Sequence, residues 1–270
     1  GLSGGAGTVV FLLGAGTLER AGVRVTQLLL GDYPGEPEFL DLAERTLGAP
    51  VWASYNGKAF DSRLLETRLL MNGRPPMDAE QLDLLYWARR LWSSRLPACN
   101  LGAIEESILL RNRAGDIPGE EIPERFFQFT RTRDASVLEQ VFEHHRLDIV
   151  SLAHLFLRLE AILARPMEDL TIDRFQLGRW LLRAADERGV ELLRWVVDTA
   201  EPADEQRLGQ AEAAALLVSR TLRRRGSPDE AREFLGSVAQ RLPGSVVVRV
   251  ELAKVLEHDL RDPEGALRVV

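Results

Sequence analysis

The chain has one cysteine, Cys99, in 270 residues. That excludes an internal disulfide and fits a reducing, cytoplasmic compartment. No apolar run approaches the roughly 20 residues that a membrane-spanning helix needs. The longest, Thr8–Leu13, is strand-sized, so no membrane partner is expected. An excess of positive charge is also missing: 34 Lys and Arg face 41 Asp and Glu, for a net charge of −7. A protein that coats nucleic acid by neutralising phosphates carries a basic face, so a general coat protein is disfavoured. A nuclease, whose metal site is itself acidic, is not. The chain starts at Gly1 rather than Met, shows no signal peptide, and stops at Val270 inside a helical pattern. It reads as part of a longer protein. What is present is ordinary for a globular chain, 45% hydrophobic and 28% charged, enough for a substantial core.

The pattern along the chain changes once. Thr8–Leu18 and Val23–Leu30 are β-branched apolar runs joined by Glu19-Arg20-Ala21-Gly22, which predicts an antiparallel hairpin. Pro37–Leu47 has apolar residues at helical spacing, Val51–Tyr55 reads as a short strand, and Lys58–Met71 as a helix. A strand end at Leu82–Leu85 leads into a helix through Trp92. Further helices are expected over Leu101–Arg111, Glu124–Arg131 and Ser136–Ala164, with a Gly/Pro-marked loop at Gly115–Pro123. This order predicts an α/β domain with a mixed sheet flanked by helices over residues 1–164. Beyond Pro166 the strand signals stop, and residues 165–270 read as all-α. Ser227-Pro228-Asp229-Glu230-Ala231 is echoed by Asp262-Pro263-Glu264-Gly265-Ala266 at a shift of 35 residues, near the period of tetratricopeptide-like (TPR-like) repeats. An ordinary helical bundle is the alternative.

Two constellations could carry chemistry. In Ser54-Tyr55-Asn56-Gly57-Lys58-Ala59-Phe60-Asp61 a strand ends at Asn56, Gly57 permits a sharp turn, Phe60 is expected to pack inward and Asp61 opens a helix. The carboxylate then stands at the C-terminal edge of a sheet, where open α/β sheets build their sites. It could equally be a helix cap. In Glu143-His144-His145-Arg146-Leu147-Asp148, both histidines lie within one helical turn of Asp148. A partly buried carboxylate needs a cation or donors, and a histidine beside it can act as a general base. A surface His–Asp pair is the plain alternative. Trp87, Arg89, Arg90, Trp92 and Arg95 could stack bases and hold phosphates, or be core tryptophans beside a solvated arginine face. Asp83 and Cys99 are given structural roles. Gly14-Ala15-Gly16 follows a strand, but only Thr17–Gly22 precede the next one, too few for the helix of a dinucleotide-binding turn.

Taken in order, these pieces resemble the YprB-like ribonuclease-H-like family, relatives of the DEDD proofreading exonucleases. Gly1–Thr8 is similar to the continuation of that family's first acidic strand. Tyr55–Asp61 looks like its second motif, Leu82–Trp92 like a further stretch, Gly115–Gly119 with Ile122-Pro123 like the loop before the last helix, and His145–Asp148 lies in its third motif. The resemblance covers roughly residues 1–160, and helical repeats often follow in the family.

It implies a metal-dependent 3′–5′ exonuclease that hydrolyses nucleic acid, at a single-stranded end, through two Mg²⁺ or Mn²⁺ ions about 4 Å apart. Asp61 and Asp148 would be metal ligands, His144 or His145 the base, and Asn56, Lys58, Arg89 and Arg90 contacts to the nucleic acid. His144 has the spacing of the base in tyrosine-type relatives, whereas Glu143 stands in the slot of the histidine-type ones. The first motif's Asp and Glu would precede Gly1, so the chain as given is expected to bind metal weakly and to be inactive. The alternative is a non-catalytic nucleic-acid-binding scaffold whose TPR-like repeats recruit a protein partner.

Overall fold

The computed structural model describes residues 8–113, 115–201 and 204–269. The motif expected at Gly1–Gly7 lies outside them. β1 (Leu12–Glu19) and β2 (Gly22–Leu29) form an antiparallel hairpin in which Leu12 faces Leu29 and Glu19 faces Gly22. Its loop is only Arg20-Ala21, and Gly22 closes it at φ 150°, a conformation that favours glycine. The apolar run enters the ladder later than its start at Thr8 suggests, although the Leu30 N–H still donates to the Phe11 carbonyl at 2.7 Å.

After a 3-10 turn, α1 (Glu36–Thr46) buries Phe39, Leu40 and Ala43, packing Phe39 and Leu40 with Leu30, Leu65 and Leu69. β3 (Val51–Ser54) leads through α2 (Asp61–Met71) to β4 (Glu80–Asp83), which pairs parallel to it. A parallel pair needs such a crossover. α3 (Leu84–Trp92), α4 (Leu101–Ser107), α5 (Ile122–Thr132) and the long α6 (Glu139–Ala164) follow. Among the described residues the antiparallel and parallel pairings form two separate two-stranded ladders.

α6 packs on β1, β2 and β3, and two glycines of β1 let it come close. A Cβ on Gly14 would lie 2.2 Å from Ile149 Cδ1 and 2.5 Å from His145 Cε1, and one on Gly16 would lie 2.7 Å from Ile149 Cγ2. The Gly14-Ala15-Gly16 pattern thus serves helix packing. From β2, Gln27 Nε2 donates to the Phe142 carbonyl at 3.0 Å and sits 3.0 Å from His145 Nδ1. An amide nitrogen only donates, so His145 Nδ1 accepts and a neutral ring carries its proton on Nε2. Burial, helped by the nearby charge of His144 and opposed by Asp148, pushes the His145 imidazole below its ordinary range. Phe11 stacks on Phe126 at 4.4 Å and closes this core with Phe129 and Val141.

The chain divides into two compact units: residues up to Arg89 with Arg95–Ala164, and Arg90–Ser94 with residues from Arg165 onward. The second unit is helical: α7 (Arg174–Arg183), α8 (Arg188–Asp198), α9 (Glu205–Arg224), α10 (Pro228–Arg241), α11 (Val246–Lys254) and α12 (Pro263–Val269). Asp173, Asp204 and Ser245 accept from the N–H groups of Gln176, Arg207 and Val248, capping α7, α9 and α11. The echoed prolines, Pro228 and Pro263, each open a helix, where a missing N–H costs nothing. Each helix packs on the next around a core that includes Ala211, Ala214, Ala215, Val218 and Leu235. α7 and α8 meet backbone to backbone: a Cβ on Gly189 would lie 2.7 Å from the Gly178 carbonyl oxygen and 2.8 Å from Leu182 N. Among the described residues no helix is long and apolar enough to cross a membrane.

Two stability measurements follow from this packing. Gly189→Ala should cost about 1–3 kcal/mol in urea unfolding because backbone must move. Gly209→Ala, a helical site with open space around it, should be neutral or gain up to about 1 kcal/mol; equal effects would contradict the close crossing. His145 is held below its unfolded pKa, so the stability tied to its neutral form is complete above about pH 6.5 and is lost as pH falls further. His145→Gln, which does not titrate, should flatten that acid slope.

Candidate functional site

The first group of candidate residues stands on the loop after β3. Ser54 ends β3 opposite Asp83, the last residue of β4. Asp83 is 4% exposed and turns its carboxylate back onto the chain. It accepts from the N–H groups of Asn56 at 2.8 Å, Leu85 at 3.1 Å and Lys58 at 3.3 Å. These bonds hold Asn56 at φ 62°, a left-handed conformation that asparagine tolerates better than most residues. Gly57 is required next, because a Cβ there would lie 2.5 Å from Ser54 Oγ. The same absent Cβ is 3.8 Å from Asp61 Oδ2, which places that carboxylate over the turn.

Asp61 is the first residue of α2 rather than its cap, and its carboxylate accepts no hydrogen bond from the described residues. Atoms packed around it, and then the charge of Asp83, push its carboxyl above the ordinary range. Its exposed face limits the size of that effect. Phe60, expected to pack inward, is 66% exposed. The buried face of α2 is carried by Leu65 and Leu69, and five residues before Leu65 is off the three-or-four spacing that shares a helix face. Tyr55 donates its hydroxyl to the Cys99 carbonyl at 2.5 Å and ties the loop to the segment before α4.

The second group is built on α6. His144 Nε2 is 3.6 Å from Asp148 Oδ2 on the same helix face. On the other side of the ring, Nδ1 meets Asp116 Oδ2 at 2.9 Å. Asp116 itself is fixed by the Ile117 N–H, which donates to its Oδ1 at 2.9 Å. Arg113 completes the group: it lies 2.6 Å from Asp148 Oδ1, 3.2 Å from Asp116 Oδ2, and pairs with Glu105. Burial alone would lower the Arg113 pKa, but its bonds to Glu105 and Asp148 outweigh this and hold it above its ordinary value. The group is therefore three carboxylates around one permanent guanidinium and one imidazole.

Glu105, Arg113 and Asp116 were not singled out by sequence reasoning. One signal was available. Glu105 follows Ile104 on the buried face of α4 and is only 2% exposed, and a buried carboxylate requires a cation partner.

The structure thus joins His144 with Asp148, and it places Asn56, Lys58 and Asp61 on one loop and the helix start after it, where the backbone of Asn56 and Lys58 is tied to Asp83. It turns His145 away, into the hairpin. No hydrogen bond or ion pair among the described residues links Asp61 to Asp148, and among them no three His, Cys, Asp or Glu side chains are grouped as a metal site. By type, both aspartates suit a hard divalent cation, and Asp61 keeps an open carboxylate with no cation bound to it among the described residues. Arg89 is exposed beside the first loop, where its charge acts on Tyr55 and Cys99. Arg90, one residue on, belongs to the second unit, with its guanidinium 5.8 Å from the centre of the Trp180 ring.

The RNase_H superfamily matches residues 1–160. The uncharacterized protein YprB of Bacillus subtilis (strain 168) is 30% identical over 278 residues, an alignment that takes in 100% of this chain. The chain spans 65% of the length of that relative. No solved structure matches it. The matched region holds the hairpin, the parallel pair and the helix that carries His144 and Asp148; the chain belongs to the RNase_H superfamily, whose fold is that of nucleic-acid hydrolases.

Proposed function

We propose that this chain provides the phosphodiesterase domain of a metal-dependent 3′–5′ exonuclease that acts on single-stranded ends of nucleic acid. The observation that carries the reading is the trio of His144 and Asp148, on one face of α6, with Asp116 brought to His144 Nδ1 by the loop after α4. A carboxylate on Nδ1 fixes the ring and its tautomer, leaving Nε2 beside Asp148 to take a proton from an attacking water. His145 is a packing residue in this reading, because its Nδ1 is occupied by Gln27. Asp61 and Asp148 would each offer a carboxylate to Mg²⁺ or Mn²⁺. When bound, such ions activate water and stabilise the leaving 3′ oxygen. Lys58 from the loop after β3, and Arg89 near Tyr55, would supply positive charge, and Asn56 an amide, for the sugar-phosphate chain of a single-stranded end.

A second reading is favoured by one observation. Arg113 already neutralises Asp148, as it would in a domain that binds nucleic acid without cutting it, with the helical region recruiting a TPR-type protein partner.

Digestion of a 3′-labelled single strand by the full-length gene product in Mn²⁺ separates the two readings. On the first, Asp61→Asn and Asp148→Asn each lower the rate by about 100-fold or more. His144→Gln lowers it by about 100-fold or more as well, while His145→Gln stays within a few-fold of wild type. Full activity in both aspartate variants removes the site assignment. Tight strand binding in EDTA, with no cleavage in Mn²⁺, selects the second reading.

A further inference from the structure

We infer that Arg113 is a built-in counter-ion that competes with a divalent cation for the Asp148 carboxylate. The inference rests on the reading of Asp148 as a metal ligand.

Arg113 is not a loose surface arginine. Its partner Glu105 is 2% exposed on α4, so that pair is fixed to the core. The Glu105 backbone carbonyl also accepts from the Arg111 N–H at 2.8 Å, and Arg111 Nη1 donates to Ser151 Oγ on α6 at 3.0 Å. The segment that carries Arg113 is thereby tied to α4 on one side and to α6 on the other, one turn beyond Asp148. Asp116 holds the remaining edge of the fork at 3.2 Å. Only the contact to Asp148, at 2.6 Å, reaches a carboxylate with appreciable access to solvent: its side chain is 31% exposed, against 3% for Glu105 and 14% for Asp116.

A cation arriving from solvent therefore meets an oxygen already bonded to a guanidinium. The two positive charges repel each other across the one carboxylate, and crowding at Oδ1 weakens a charge-assisted hydrogen bond, so each is held less tightly in the presence of the other. Glu105 and Asp116 keep Arg113 in place after displacement, so the guanidinium stays poised to return. Arg113 does not deprotonate at any ordinary pH, so the guanidinium's own charge in this competition does not change with pH.

Titration of the full-length gene product with Mn²⁺, with free ion followed by its electron paramagnetic resonance signal, tests this without any catalytic readout. The variants are Asp148→Asn, Arg113→Gln and the double variant Glu105→Gln/Arg113→Gln. The double variant removes both charges together, since a lone buried carboxylate can unfold a protein. Circular dichroism checks that each is folded. Removing Arg113, alone or with Glu105, should tighten Mn²⁺ binding by about tenfold, and Asp148→Asn should weaken it. If Asp148→Asn weakens binding while the double variant binds like wild type or more weakly, Arg113 is a support of the carboxylate and the competition is overturned. If Asp148→Asn changes nothing, or no variant binds Mn²⁺, the ligand reading itself fails and takes the inference with it.

Discussion

The close approach of α6 to the hairpin sets the geometry of the candidate site. Side chains missing at Gly14 and Gly16 leave a furrow that receives Ile149 and His145, and this contact fixes the rotation of the helix. With His145 turned into the strands, the neighbouring His144 must point about 100° away around the axis, and Asp148, four residues further on, shares its direction. The loop carrying Arg113 and Asp116 then meets an imidazole and a carboxylate whose bearing the packing has already decided. The bearing of these groups is inherited from two positions that have no side chain.

Asp83 plays the comparable part for the other half of the site. Its buried carboxylate replaces a continuing ladder by collecting three backbone N–H groups beyond the strand ends. The turn it stabilises sends Asn56 into a left-handed conformation and lifts Asp61 to the start of α2. Asp61 then stands near a second acid with no hydrogen bond of its own among the described residues, whereas Asp148 is surrounded by donors. The two aspartates of the proposed site thus differ in electrostatic setting: among the described residues Asp61 has no hydrogen-bond or ion-pair partner, whereas Asp148 has one in Arg113.

Much of this was legible in the sequence, because it is local. The hairpin, the parallel strands around a crossover helix, the long α6 and the shift to helices after Pro166 all follow from periodicity and turn residues. The His144–Asp148 pairing follows from a spacing of four. What was not legible depends on contacts between distant segments. Nothing near His145 in the chain announces Gln27, which lies 118 residues earlier, and nothing near Asp148 announces Arg113. Phe60 was misread because an apolar residue was given an inward role without asking which face of α2 was already filled by Leu65 and Leu69. Arg89 and Arg90 read as one basic patch, yet successive helix positions diverge, and Arg90 settles on Trp180.

The helical unit has a different kind of order. Its helices lean mostly on their neighbours in the chain, so cohesion accumulates step by step rather than being shared by one centre. Damage to α12 weakens the rungs beside it and fades before it reaches α7. Such a series can be lengthened, trimmed or resurfaced by sequence drift at its far end with little disturbance to its beginning.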